Sequence, residues 1–251
     1  RSGQLVVGAT AASDGDCFPT AHALAYAESS GPQDSGLEPA EREASRGTLS
    51  YYDERAEAFW AATRNHDVTQ NVAALLSRIE GEPPFWILDF GCGPGRDLAS
   101  FVKLGHHAVG LEGAAALASM ARANSSCEVW EQDFLAPQLP LARFDGVFAN
   151  ASLFHVPSRR LPNVLRALHA TLKPHGVLMS SNPRGNDFEG WSDGRYGVWH
   201  SLEAWRGYLV AAGFVELDHY YRPAGLPRDR QPWLASVWRK VEASAPTPAT
   251  R

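Results

Sequence analysis

Three acidic residues, Asp89, Glu112 and Asp133, fall at or beside the ends of three short apolar runs, "FWILDF", "HAVGLE" and "CEVWEQD". Directly after the first run comes Gly91-Cys92-Gly93-Pro94-Gly95. Glycines in such a place let the backbone take positive φ and come close to a ligand. The spacing is GxGxG, with Arg96 where the dinucleotide fingerprint GxGxxG needs its third glycine, and no Lys-Ser/Thr pair follows as in a GxxxxGK[ST] phosphate loop. The loop therefore points to a nucleoside-type ligand with no pyrophosphate to cradle. Glu112 follows Gly91 by about 20 residues, the position from which a carboxylate accepts both hydroxyl hydrogens of a ribose. Asp133 is placed to accept from an exocyclic amine, with Phe134 beside it to pack on a purine face. A fourth run, "FDGVFAN", brings Asn150 to the same edge, and Ser152 and His155 follow it.

Each of these residues also has a plainer role open to it. Asp89 can be a solvated strand end and Cys92 a small loop filler. Asp97 is favoured at a helix start by the dipole, whereas Arg96 there is not and calls for a carboxylate partner. His155 suits general-base work near neutral pH, and equally suits packing.

The elements that must carry these residues are legible as alternating runs. After the strand-like stretches above come "GVLMSS", "FVELDHYY" and "WLASVWRK". Between them lie helical stretches, "RDLASFVKLG", "GAAALASMARAN", "LPNVLRALHATLK" and "SLEAWRGYLVAAG". In the third, Leu161, Val164, Leu165, Leu168 and Leu172 share one face, and Pro174 and Gly176 stop it. Alternation of this kind predicts a parallel sheet covered by helices on both faces, whose strand ends form the ligand edge. The last two runs are joined only by "RPAGLPRDRQP", which fits an antiparallel return at one sheet edge. Two helical stretches precede the first strand, "YYDERAEAFWAA" and "VTQNVAALLSRIEG".

In this order and spacing, "ILDFGCGPGRD", "AVGLE", "QDF", "FDGVFANASLFHV" and "LHATLKPHGVLMSS" resemble the class I S-adenosylmethionine-dependent methyltransferases, in particular the small-molecule type. The resemblance implies an α/β, Rossmann-like three-layer sandwich with a seven-stranded, mostly parallel sheet and an antiparallel last strand. It implies S-adenosyl-L-methionine held by Asp89, Gly91, Cys92, Gly93, Glu112, Gly113, Asp133, Phe134 and Asn150. The helix at 51–66 sits where lids do in this family, so Tyr52 joins His155 as a candidate catalytic residue. The segment "NPRGNDFEGWSDGRYGVWHS" lies where family members insert substrate-recognition elements; Arg184, Trp191, Arg195 and Tyr196 are its candidate substrate-binding residues, offering aromatic faces for a cation or arginine for a carboxylate. The expected acceptor is a small polar molecule with an amine, thiol, hydroxyl or carboxylate. The alternatives are an RNA or protein methyltransferase and a non-catalytic cofactor-binding domain of a larger chain.

Composition bounds these readings. The 251 residues are 44% hydrophobic with net charge -5, ample for a sizeable core. No block of basic residues marks a nucleic-acid surface, and no apolar run reaches the ~18 residues of a membrane span. Cys17, Cys92 and Cys127 are scattered, with no CxxC pair, so no metal site is expected and a reducing, cytoplasmic setting is. Residues 1–48 are rich in Gly, Ser, Pro and Glu and read as a flexible extension, and "ASAPTPATR" from Ala243 reads as a tail, leaving 49–242 as the domain.

Overall fold

The computed structural model describes residues 36–241. Three helices open the chain, α1 (Pro39–Glu54), α2 (Ala56–Thr63) and α3 (Thr69–Leu76). Strand and helix then alternate through β1 (Trp86–Phe90), α4 (Arg96–Lys103), β2 (His107–Glu112), α5 (Ala115–Ser125) and β3 (Glu128–Glu131). They continue with β4 (Phe144–Asn150), α6 (Leu161–Thr171), β5 (Leu172–Pro183), a hairpin β6 (Phe188–Ser192) and β7 (Arg195–Trp199), α7 (Leu202–Ala211), β8 (Phe214–Arg222) and β9 (Trp233–Lys240).

Seven strands form one sheet in the order β3-β2-β1-β4-β5-β9-β8. The pairs from β3 to β5 are parallel, and β9 runs antiparallel to both of its neighbours, β5 and β8. The chain moves outward from β1 to β3 and then crosses back to β4, so a topological switch opens between β1 and β4 at their carboxyl ends. Such a crevice is where open α/β sheets bind ligands.

Period-two alternation sorts the strand side chains onto two faces. Leu88, Phe90 and Val147 face one core layer with Val164, Leu165 and Leu168 of α6 and with Trp205 of α7. Ile87, Phe148 and Met179 face the other, under Val72 and Leu75 of α3 and Phe101 of α4. The apolar stripe expected on α6 is fully buried, and its last member, Leu172, begins β5 rather than ending the helix. No described helix is long and apolar enough to cross a membrane.

The boundary placed at residue 48 needs correcting. Residues 39–48 belong to α1, whose N-terminus has Glu38 and Glu41 in a reciprocal capping box. The buried positions of this helix are Glu41, Ala44 and Thr48. Glu41 is held by Arg160 at 2.9 Å, an ion pair that ties α1 to the start of α6. Polar contacts hold the helix down where large apolar residues are lacking. Residues 1–35 and the tail from 242 lie outside the described residues.

Candidate active site

A cavity of about 640 Å³ opens at the carboxyl ends of β1, β2, β3 and β4, with α1 and α2 over it. This is a volume typical of small-molecule sites. Gly91, Cys92, Gly93, Glu112, Asp133, Phe134 and Asn150 all line it. Asp89 and Gly113 do not. Asp89 is buried beneath the loop, where burial and the neighbouring Asp97 push its carboxyl well above the usual range, and its Oδ2 has no partner. Gly113 lies under α1, where Leu49 Cδ2 comes within 2.7 Å of the place a Cβ would take.

Glu112 organises the loop. Its Oε2 accepts from the Gly93 N–H at 2.9 Å and its Oε1 from the Ala114 N–H at 3.0 Å. Burial raises its pKa, and these backbone donors oppose the rise. Asp133 accepts from Leu135 N–H at 2.8 Å and from the Ser45 hydroxyl of α1 at 2.6 Å. An ionised carboxylate has about four lone-pair sites, so both residues keep acceptor capacity for a ligand. Arg96 has the carboxylate partner its place demanded: it grips Asp97 through Nε and Nη2 at 2.7 and 2.8 Å, and its Nη1 donates to the Thr63 carbonyl of α2 at 2.8 Å.

The donor set fits S-adenosylmethionine. Carboxylates stand at the end of β2 (Glu112) and two residues past the end of β3 (Asp133), as a ribose diol and an adenine amine require, and Phe134 lines the same cavity. At Gly93, with φ of 52°, a Cβ would meet only Phe59 Cε1, at 3.6 Å. The loop thus leaves its backbone bare toward the cavity.

Tyr52 and His155, both lining the cavity, meet there. His155 Nδ1 donates to the Tyr196 carbonyl at 2.6 Å, which leaves Nε2 to accept from the Tyr52 hydroxyl at 2.9 Å. Burial first, and Arg195 second, drive the His155 pKa from 6.5 down to about 4, against the pull of the Tyr196 carbonyl. A neutral imidazole with so low a pKa is a weak proton acceptor; its two hydrogen bonds fix the Tyr52 ring and hydroxyl.

That shift has a testable consequence. Between about pH 4 and pH 6.5 the unfolded chain binds a proton at His155 that the folded chain does not. Stability therefore rises with pH through this window and is lost on acidification, by about 3 kcal/mol from this group. Denaturant unfolding across the window should show a flatter acid limb for His155→Gln than for the natural chain. Superimposable limbs would contradict the assignment.

The four residues expected to bind substrate separate. Arg195 lines the cavity; Arg184, Trp191 and Tyr196 are not among its lining residues. The Arg184 guanidinium donates instead to the carbonyls of Gln231 and Arg228, at 2.8 and 2.6 Å. Trp191 braces the hairpin on α1, its indole against Gly47, where a Cβ would come within 2.5 Å of it. The Tyr196 hydroxyl donates to Glu189 at 2.8 Å, and burial helps push its pKa up to about 12. Tyr196 meets the site through its backbone, its carbonyl accepting from His155 and its N–H donating to the Thr48 hydroxyl at 2.9 Å.

Asn71 was not foreseen. It is fully buried on α3, donates through Nδ2 to Asn150 Oδ1 at 2.9 Å and accepts from the Tyr220 hydroxyl of β8 at 2.8 Å. The Asn150 carboxamide is thereby fixed at the end of β4 with its NH2 group free of protein partners among the described residues. A single polar residue on a helical stripe is the only trace of this in the sequence.

Residues 87–176 match the family model described as a methyltransferase domain. Over this stretch the chain is similar to methyltransferase domains. It is 33% identical over 123 residues to trans-aconitate 2-methyltransferase of Azoarcus sp. (strain BH72), and the match covers 47% of each chain. The chain thus spans about half the length of that curated relative. The fold is similar to 1,6-didemethyltoxoflavin-N1-methyltransferase of Burkholderia thailandensis, solved with S-adenosylhomocysteine bound, at a TM-score of 0.66 and 21% identity, covering 82% of this chain and 92% of that one. It is also similar to the [4+2]-cyclase SpnF, at 0.61 and 17% identity, covering 78% and 96%. The last comparison shows that this fold hosts more than one chemistry, so the reaction has to be argued from the site.

Proposed function

We propose that the chain transfers a methyl group from S-adenosylmethionine to a small polar acceptor. The observation that carries this reading is the convergence of Glu112, Asp133, Phe134 and Asn150 on one cavity that also holds Tyr52, His155 and Arg195. When bound, the cofactor supplies a methyl group on positively charged sulfur, ready for in-line attack by an oxygen, nitrogen or sulfur nucleophile.

What the protein contributes is binding, orientation and exclusion of water. Glu112 and the Gly93 backbone take the ribose side, and Asp133 with Phe134 takes the adenine side. Tyr52, Phe59 and Trp60 bring aromatic surface from the overlying helices to the cavity. Where the nucleophile carries a proton, the Tyr52 hydroxyl is the group to receive it, passing its own proton to His155 Nε2 along the 2.9 Å hydrogen bond. The low proton affinity of His155 makes that route weak and favours acceptors that have no proton to lose, such as carboxylates. The carboxylate-bearing molecule in the name of the Azoarcus relative points the same way. A small-molecule acceptor is also favoured over an RNA or protein by a side-chain-lined cavity of about 640 Å³.

Calorimetry tests the reading. The chain should bind S-adenosylmethionine saturably, and Asp133→Ala should weaken binding about tenfold or more through loss of a charge-assisted hydrogen bond. No binding by the natural chain would overturn the proposal. Binding without turnover across amine, thiol, hydroxyl and carboxylate panels would favour a regulatory domain.

A further inference from the structure

Arg195 is the first residue of β7, and its side chain lines the cavity. Its guanidinium carbon lies 5.1 Å from the centre of the Tyr51 ring and 5.9 Å from that of Tyr52. Nη1 donates to the Tyr52 hydroxyl at 3.4 Å, a long and weak contact. Nε is buried and has no hydrogen-bond partner among the described residues. Among the described residues no carboxylate forms an ion pair with Arg195, although Asp193, two positions earlier, contributes to its field.

The other arginines of the cavity are engaged. Arg96 is locked to Asp97 at 2.7 Å, and Arg222 donates to the Asp67 carbonyl at 2.7 Å. The cavity carboxylates that would hold the cofactor, Glu112 and Asp133, stand at the end of β2 and just past the end of β3. Arg195 belongs instead to the hairpin, next to the Tyr52–His155 pair.

The Nε–Nη2 edge of a guanidinium presents two parallel N–H groups that match a carboxylate, and this edge of Arg195 has no acceptor among the described residues. A buried donor left without an acceptor is unfavourable, so its natural complement is an anion arriving with a ligand. We infer that Arg195 anchors a carboxylate group of the methyl acceptor, and hence that the acceptors are small organic acids. The inference deepens the proposed methyl transfer and rests on it. The anchor needs no proton transfer and holds whichever atom of the acid receives the methyl group.

The test is calorimetric, on the chain saturated with S-adenosylhomocysteine. Citrate, glutarate and benzoate are titrated beside their methyl esters, with inorganic phosphate as a further arm. At least one acid should bind, and its ester should bind tenfold or more weakly. Arg195→Met should lose at least tenfold for that acid, Arg195→Lys should keep part of the affinity as a monodentate cation, and both should bind S-adenosylhomocysteine as the natural chain does. Melting curves on both variants confirm that the fold is intact. The inference is overturned if no acid binds, if acids and esters bind alike, if phosphate binds better than every acid, or if Arg195→Met binds the acid normally. Failure of S-adenosylhomocysteine itself to bind would instead bring down the methyltransferase reading beneath it.

Discussion

Gly91→Ala is expected to damage the fold and the cofactor site together. Gly91 has φ of 79°, and a Cβ there would lie 2.3 Å from Ser152 Cβ and 3.1 Å from Phe134 Cζ. Ser152 cannot retreat: it is buried, and its hydroxyl donates to the Phe90 carbonyl at 2.6 Å. Phe134 is held too, 4.8 Å from the Phe90 ring. Left-handed backbone costs a non-glycine residue about 1–2 kcal/mol, and overpacking adds about 1–3 kcal/mol. The melting temperature should fall by roughly 4–20 °C for a domain of this size. A variant that melts with the natural chain would show that the loop relaxes freely.

Glu112→Gln is expected to act differently, on binding far more than on folding. The amide keeps the shape of the side chain but turns one acceptor into a donor. One of the two backbone groups, Gly93 N–H or Ala114 N–H, then faces another N–H. The charge that would accept from a ribose diol is lost as well. Two charge-assisted hydrogen bonds at about 1.5–3 kcal/mol each predict at least a hundredfold weaker binding of S-adenosylhomocysteine by calorimetry. Burial already disfavours the Glu112 charge, so removing it returns part of the folding free energy. Stability should change by no more than about 1–2 kcal/mol. Equal losses in both readouts would mean that Glu112 is a structural residue alone.

The contrast between these variants reflects how the site was written into the chain. The strand ends were legible because local signals agree: apolar run, glycine loop, amphipathic helix, and a carboxylate at the next strand end. "HAVGLE" is β2 residue for residue, and "FDGVFAN" is β4. Helix α1 was partly hidden because its buried side are Glu41, Ala44 and Thr48, which carry no hydrophobic period. It is seated by the Arg160 ion pair and the Ser45–Asp133 bond together with packing of Leu49 and Tyr52 on Ala114 and Leu117, partners far away in sequence.

The β6–β7 hairpin did leave a signal, Asp193-Gly194 between short alternating runs, a recognised turn pair. The density of charge and glycine around it masked the alternation. Within that hairpin, one exposed-looking segment divides its labour: Trp191 braces α1, the Tyr196 carbonyl orients His155, and Arg195 lines the cavity. Residue type alone could not separate these roles, because each depends on which way a two-residue period faces. Asn71 was beyond reach for a similar reason, since its partners come from β4 and β8.

The claim that unites these points is that the carboxyl edge of β1 to β4 holds the adenosine cofactor. A crystal structure of the chain grown with S-adenosylhomocysteine measures it most directly. The ribose hydroxyls are expected on the Glu112 carboxylate, the adenine amine on Asp133 with Phe134 against the ring, and the glycine loop in contact with the amino-acid part. Ligand density anywhere else, or a ribose with no contact to Glu112, would contradict it.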